Sequence, residues 1–368
     1  MDCTLYNHSL GAALVLMLFF AIYFLVARVP EKPIFAGYLC SRRLMGLAIL
    51  VLAANYSVHL FLGLRQEDPD AAILMNLSTY FLDYWVFSSA FMVLLDRFYL
   101  TRRRIIRKTL HWLLFTVLAS LVFAVFPDGL WQKVGLLLMA LWLLVYGIHL
   151  SRMVIFTYHR AVRLFDDTHS EDIGAYIRWM SILTWWALIY GVSCGLLTFL
   201  PDEYVFLWVL SSIPFYIYIY CSYMNYLLFY EQVEKILEKA PVEEPRDIPE
   251  ETAPTASNAP AYHVTIERNM KGWLEDNGFT TPGLTIEDLA MTLGTNRTYL
   301  SSYIKTTYRM SFREWIASHR IEYAKQLLGK TPKMTVAEVS EASGFLSLSY
   351  FTKIFTEKEG VSPSKWRK

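Results

Sequence analysis

The sequence predicts an all-α protein in two parts. A seven-helix transmembrane bundle comes first, followed by a C-terminal domain of two helix-turn-helix units joined by a linker helix. Three observations lead there. Of 368 residues, 55 % are hydrophobic and only 18 % are charged, a balance unlike that of an ordinary soluble chain. The apolar residues gather into long runs before position 230, and one short pattern near the carboxyl end occurs twice, about fifty residues apart.

The amino terminus shows neither the basic start nor the small-residue cleavage site of a secretory signal. The apolar runs cover 10–26, 44–64, 71–95, 110–126, 134–155, 177–200 and 204–229. Each is close to the ~20 residues that cross a bilayer core of about 30 Å. Lipid-exposed backbone must satisfy its own hydrogen bonds, so each run is expected to be a helix.

Loop charges orient the bundle. With seven spans, one alternating set of loops and span ends holds Arg28, Lys32, Arg42, Arg43, then Arg97, Arg102, Arg103, Arg104, Arg107, Lys108, then Arg152, Arg160, Arg163 and Arg178. The opposite set holds Arg65 and Lys133 alone. Fourteen against two is a strong positive-inside bias. It places the amino terminus outside and everything after residue 230 in the cytoplasm.

Ionisable residues inside the spans are few. Asp83 lies in the middle of 71–95, where a carboxylate is costly unless paired, protonated or wet. It is a candidate for sensing a signal, or alternatively a neutral acid bonded to Asn55, His59 or Asn225. Tyr216, Tyr220 and Tyr223 recur at helical spacing beyond Pro214, a stripe expected to pack helices, with Pro214 a kink candidate. Cys3, Cys40, Cys194 and Cys221 have no zinc or redox spacing. No metal set, cofactor or catalytic residue is expected.

Residues 231–261 read as a short charged stalk followed by a tether rich in proline and acids, with eight acidic and three basic residues. As a flexible coil of about twenty residues, the tether would reach on the order of 25 Å. Residues 262–368 differ, with fifteen basic and eleven acidic residues, which suits a polyanionic partner. Ile266, Met270, Trp273 and Leu274 mark a first helix.

The repeated pattern comes next. Its first copy is Thr285-Ile286-Glu287-Asp288-Leu289-Ala290, then Gly294, Tyr299-Leu300 and Ile304. The second is Thr335-Val336-Ala337-Glu338-Val339-Ser340, then Gly344, Tyr350-Phe351 and Phe355. Thr-x-x-acid is a capping box that opens a helix, apolar residues follow at helical spacing, and glycine closes it. A second amphipathic helix follows each time, which makes two helix-turn-helix units. Between them Ser311-x-x-Glu314 opens a connector helix carrying Phe312, Trp315, Ile316, Ile321, Ala324, Leu327 and Leu328, which Gly329 is expected to stop.

These residues, with Arg320-Ile321, Gly344-Phe345 and the ending Gly360-Val361-Ser362-Pro363 and Arg367, closely resemble the DNA-binding domain of AraC/XylS-type bacterial transcription regulators. The resemblance covers less than a quarter of the chain. Arg309 stands where that family usually has glycine, Ser340 where it has alanine, Thr356 where lysine is common and Trp366 where tyrosine is common. The resemblance implies that the two units enter successive major grooves on one side of double-stranded DNA, roughly 34 Å apart.

The apolar residues Leu300, Ile304, Phe351 and Phe355 must face a core. Asn296, Arg297, Thr298, Ser301, Ser302 and Lys305 are then left outward on the first recognition helix. On the second, Ser347, Ser349, Tyr350, Thr352 and Lys353 are outward. Arginine grips guanine and asparagine grips adenine with paired hydrogen bonds, while lysines and hydroxyls serve phosphates as readily as bases. Base contacts are expected from Asn296, Arg297, Ser347, Ser349 and Lys353.

The functional expectation is a non-enzymatic, multi-pass regulator of transcription in the bacterial inner membrane. A small-molecule or membrane-derived signal sensed by 1–230 would act on DNA binding by 262–368, with the lipid bilayer and a second copy of the chain as further partners. The competing expectation is a transporter or intramembrane enzyme with a DNA-binding appendage. Against it, the spans lack paired acids, metal-ligand spacing or an evident nucleophile and base.

Overall fold

The computed structural model describes residues 3–29, 32–96, 98–126, 129–170, 174–197, 202–239, 259–331 and 333–367. They are helical nearly throughout, and group into two compact units. The first comprises 1–160 with 176–235, the second 161–175 with 236–368.

The first unit contains α1 (Cys3–Val26), α2 (Ala36–Leu62), the single turn α3 (Leu64–Glu67), α4 (Pro69–Leu95), α5 (Arg102–Val125), most of α6 (Leu130–Asp166), α7 (Gly174–Leu197) and most of α8 (Asp202–Lys239). Within the described residues, the seven apolar runs of the sequence therefore fall on helices, the run at 177–200 as far as Leu197. Among the described residues, α1, α2, α4, α5 and α6 are long and apolar enough to cross a membrane. Arg42 and Arg43 belong to α2 rather than to a loop, with Arg42 buried.

α2 packs against both α1 and α4. Ser41 Oγ on α2 donates to the Ala90 carbonyl on α4 at 2.6 Å and lies 2.8 Å from the Tyr223 hydroxyl on α8. Asn55 Nδ2 donates to Asn76 Oδ1 at 3.0 Å, and His59 Nε2 lies 2.9 Å from the same oxygen. Phe81, Phe115 and Tyr146 join α4, α5 and α6 in one stack, with centroids 4.2 Å apart in both pairs. On α5 only Phe115 and Ala119 are buried, while Leu110, Leu113, Leu114, Val117 and Leu121 are exposed.

α8 runs unbroken through Pro214. The tyrosine stripe packs helices as expected: Tyr223 is fully buried, and Tyr220 stacks on Phe20 of α1 at 5.0 Å. The charged stalk is the end of α8, while the tether at 240–258 lies outside the described residues.

The second unit holds α9 (Ala259–Glu275), α10 (Ile286–Thr292), α11 (Arg297–Tyr308), α12 (Phe312–Lys330), α13 (Val336–Ala342), α14 (Leu348–Glu359) and α15 (Pro363–Trp366). All three capping boxes form. Thr285, Ser311 and Thr335 each accept from the amide three residues on, at 3.2, 3.3 and 3.2 Å, while the acid there accepts the cap residue's own amide. Each removes two of the donors a helix start leaves unpaired.

Two cores flank α12. Phe312, Trp315 and Ile316 on its first half join Leu289, Leu300 and Ile304. Ile321, Ala324 and Leu328 on its second half join Val339, Phe351 and Phe355. One expectation is corrected: α12 does not stop at Gly329 but continues to Lys330, with Thr331 closing it. An interior glycine is tolerated there because the helix is held by its buried face rather than by propensity.

Candidate DNA-binding site

The two helix-turn-helix units repeat down to individual hydrogen bonds. Gly294 and Gly344 both adopt positive φ, +68° and +85°. The next residue then donates back to the preceding helix, Thr295 to Ala290 at 2.9 Å and Phe345 to Ser340 at 3.1 Å. Glycine reaches this left-handed region without a Cβ clash. The second turn has one more residue, Leu346, before its cap Ser347.

Each cap is itself a site candidate. Asn296 Oδ1 accepts from the Tyr299 amide at 2.9 Å, leaving its NH2 group as a donor. Ser347 Oγ accepts from the Tyr350 amide at 3.3 Å. Beyond the caps, Thr298, Ser302 and Lys305 are exposed at i, i+4, i+7 along α11. With the extra residue counted, Ser349, Lys353 and Thr356 are their equivalents on α14, also exposed. The opposite faces are the buried Leu300 and Ile304, Phe351 and Phe355. Thus two similar polar faces project from one scaffold, with basic and hydroxyl groups suited to a polyanion.

Arg297 is half-buried and pairs with Glu287 of α10, Nη1 to Oε1 at 3.2 Å. That pair is open to solvent on both sides, so it is worth little and yields readily to a phosphate or a base. Tyr350 departs from the expected outward position: it is buried in the second core, 5.9 Å from the Phe345 ring and 6.0 Å from the Arg313 guanidinium. Helical spacing puts it beside Phe351, and the aromatic ring follows the core. Sequence reasoning missed Leu346 and Leu348, which are 64 % and 46 % exposed on either side of Ser347. Apolar groups at the mouth of a recognition helix suit thymine methyls; the only sequence signal was the extra residue in the turn.

Arg320 ties the halves together. It is fully buried, its Nε donates to the Phe279 carbonyl and its Nη2 to the Thr281 carbonyl, both at 2.8 Å, and its guanidinium lies 5.5 Å from the Phe345 ring centroid. At Gly344 an added Cβ would stand 2.4 Å from the Thr280 carbonyl oxygen. The second unit's turn thus rests directly on the backbone of the first.

Within the same compact unit, residues 165–170 lie along the start of α10. His169 bridges Thr285 in antiparallel fashion, the Ser170 amide donates to the Leu284 carbonyl at 3.1 Å and the Ile286 amide to the Thr168 carbonyl at 2.9 Å. Asp167 Oδ2 accepts from Lys305 Nζ at 2.6 Å. Asp166 pairs with Arg313: Nη2 donates to Oδ2 at 3.1 Å, and Nε sits equally far from Oδ1 but off the hydrogen-bonding line.

The comparisons with known proteins concern this domain. Residues 289–368 match the family described as Helix-turn-helix domain. The carboxyl end of the chain is a helix-turn-helix domain.

Its relatives regulate transcription. The segment is similar to the Msm operon regulatory protein of Streptococcus mutans, 35 % identical over 85 residues, which is 23 % of this chain and 30 % of that protein. It is similar to the virulence regulon transcriptional activator VirF of Yersinia enterocolitica, 33 % identical over 101 residues, 27 % of this chain and 36 % of that one. The melibiose operon regulatory protein of Escherichia coli is 27 % identical over 118 residues, 32 % and 38 % of the two chains. The match thus spans about a third of these relatives' length. A solved structure, the C-terminal domain of the response regulator yesN from Fusobacterium nucleatum, aligns at 25 % identity over 28 % of this chain and 97 % of that one, with a TM-score of 0.26. The sequence matches to these regulators support the AraC/XylS-type resemblance for the helix-turn-helix domain.

Asp83 lies in the first unit, beside a cavity between α2, α4, α7 and α8. The anticipated partners Asn55 and His59 turn to Asn76 instead. Among the described residues no cluster of His, Cys, Asp and Glu has the geometry to hold a metal ion.

Proposed function

We propose that the chain is a membrane-embedded transcription regulator that binds specific double-stranded DNA through both helix-turn-helix units and couples a signal in its bundle to that binding. The observation that carries the reading is the pair of equivalent polar faces, Thr298–Ser302–Lys305 and Ser349–Lys353–Thr356, fixed on the shared helix α12. Such a scaffold sets the separation of two recognition helices before DNA arrives, so little ordering cost falls on binding.

Support for the membrane comes from five apolar helices of spanning length and from their exposed leucines and valines, which water would penalise and lipid would not. The loop charges favour a cytoplasmic carboxyl end in the inner membrane of a bacterium. Asp83 is the candidate signal-sensing group, and a homodimer is the assembly the family resemblance favours.

The test uses the full-length protein in lipid nanodiscs, titrated with selected and scrambled duplexes at several salt concentrations. With several phosphates neutralised, log affinity falls by about 0.9 per phosphate per decade of salt, and one duplex sequence is preferred over scrambled DNA. Equal affinity for all duplexes, or none, contradicts the reading.

A further inference from the structure

We propose that the bundle cavity beside Asp83 binds a small organic cation, a protonated or quaternary alkylamine; this rests on reading Asp83 as the signal-sensing residue. The cavity has a volume of about 100 Å³. Rings from four helices surround it: Tyr56, Tyr80, Tyr84, Phe87, Tyr190 and Phe215. Asp83 is the single carboxylate on its wall, and no lysine, arginine or histidine lines it among the described residues. Asp83 Oδ1 is buried with no hydrogen-bond partner among the described residues.

A carboxylate in apolar surroundings needs a positive partner, a proton or water. Aromatic faces carry the negative end of the ring quadrupole, so this wall repels an anion and attracts a cation. With Asp83 Oδ1 left without a hydrogen-bond partner among the described residues, the acid and the rings together make a cage suited to a positive guest. The carboxylate supplies the charge and the rings the desolvated lining. Anionic ligands are excluded by Asp83. As to size, a dry cavity of roughly 150 Å³ accommodates benzene, so this one suits about five heavy atoms, the size of tetramethylammonium.

The full-length protein in nanodiscs is titrated with an alkylammonium series from methylammonium to tetramethylammonium, and with the uncharged tert-butanol. Calorimetry is read together with indole fluorescence, since Trp186 lies 5.4 Å from Phe215 on the wall. A saturable ammonium signal, at least about tenfold tighter than tert-butanol, is expected, and Asp83→Asn removes the preference. Tert-butanol binding as tightly, saturation by no member of the series, or an undiminished preference in Asp83→Asn overturns the proposal. DNA affinity of the same amine-free preparation separates the two claims. Intact DNA binding with an unresponsive cavity sinks this inference alone, and lost DNA binding sinks the function proposed above.

A different observation carries a second inference. Residues 165–170 use two backbone hydrogen bonds and two ion pairs on the helix-turn-helix domain, and one of those pairs occupies Lys305. The segment is continuous with α6, which begins at Leu130 in the bundle. From this we infer that the segment is a built-in clamp that withholds the first recognition helix from DNA. A carboxylate on Lys305 competes with phosphate for the same charge, and the backbone bonds fix it there.

The test is Asp167→Cys with Lys305→Cys, in a full-length background where Cys3, Cys40, Cys194 and Cys221 are serine. A short, cleavable bis-maleimide is expected to bridge the two thiols across the space the ion pair leaves, and to lower DNA affinity at least about tenfold against the same protein after the bridge is cleaved, because an engaged unit no longer supplies its share of contacts. Failure of the reagent to bridge the pair in the DNA-free protein, or equal affinity before and after cleavage, overturns the clamp.

Discussion

Arg309 occupies a left-handed backbone position, φ +55°, where it closes α11. The same turn after α14 uses Gly360 at φ +73°. A side chain in this region costs about 1–2 kcal/mol, part of which glycine returns through the freedom of its unfolded chain. Arg309→Gly is therefore expected to stabilise residues 259–368 by up to about 1 kcal/mol, read as a raised denaturation midpoint. Arg297 makes a different prediction. Its ion pair with Glu287 is solvent-open, so Arg297→Ala leaves stability nearly unchanged. Selection from a randomised duplex library should show relaxed preference at one or two positions; a uniform loss over all sequences assigns it to a phosphate. His319 carries a pH dependence. Packed against Trp315 at 5.1 Å and Phe279 at 5.7 Å, it is pushed below the usual histidine range by burial, with Lys358 adding to the effect. Below about pH 6.5 the unfolded chain takes up a proton that the folded one refuses, so stability falls as pH drops. His319→Gln should flatten that slope in urea titrations between pH 7 and pH 5.

At the scale of elements, most of the second unit was legible because its signals are local. A capping box states where a helix begins, and Thr285, Ser311 and Thr335 each do so. Stops were less legible: Gly294, Gly344 and Gly360 end helices but Gly329 does not. Whether a glycine turns left-handed depends on what the next residues can bury, which periodicity alone does not report. Tyr350 and Leu346 show the same limit from opposite sides, an amphipathic side chain drawn into the core and an aliphatic one left outside it. Contacts between elements were not legible at all. The seat of Gly344 on the Thr280 carbonyl joins residues more than sixty positions apart, and the Asp167–Lys305 pair joins residues further apart still. Gly344→Ala must move backbone or open the interface between the units, a cost of about 3 kcal/mol or more. Hydrogen exchange should then show α13 and α14 losing protection while α10 and α11 keep theirs, the two cores being separate clusters on α12.

The molecule as a whole joins two parts, one that the sequence marks by composition and one that it marks by a repeated pattern. The bundle announced itself through hydropathy, and within the described residues its apolar runs are helices, yet its cavity was invisible beforehand. Only Asp83 hinted at it, since four helices must meet before a pocket exists. The domain announced itself through repeated motifs, and there the comparisons with known regulators agree. Joining them requires that one polypeptide cross the lipid and hold its DNA-reading faces on the side of the chromosome. A dual reporter fused after the final lysine, fluorescent only in the cytoplasm and phosphatase-active only outside it, tests this most directly. The account predicts fluorescence without phosphatase activity in the membrane fraction; phosphatase activity without fluorescence would contradict it.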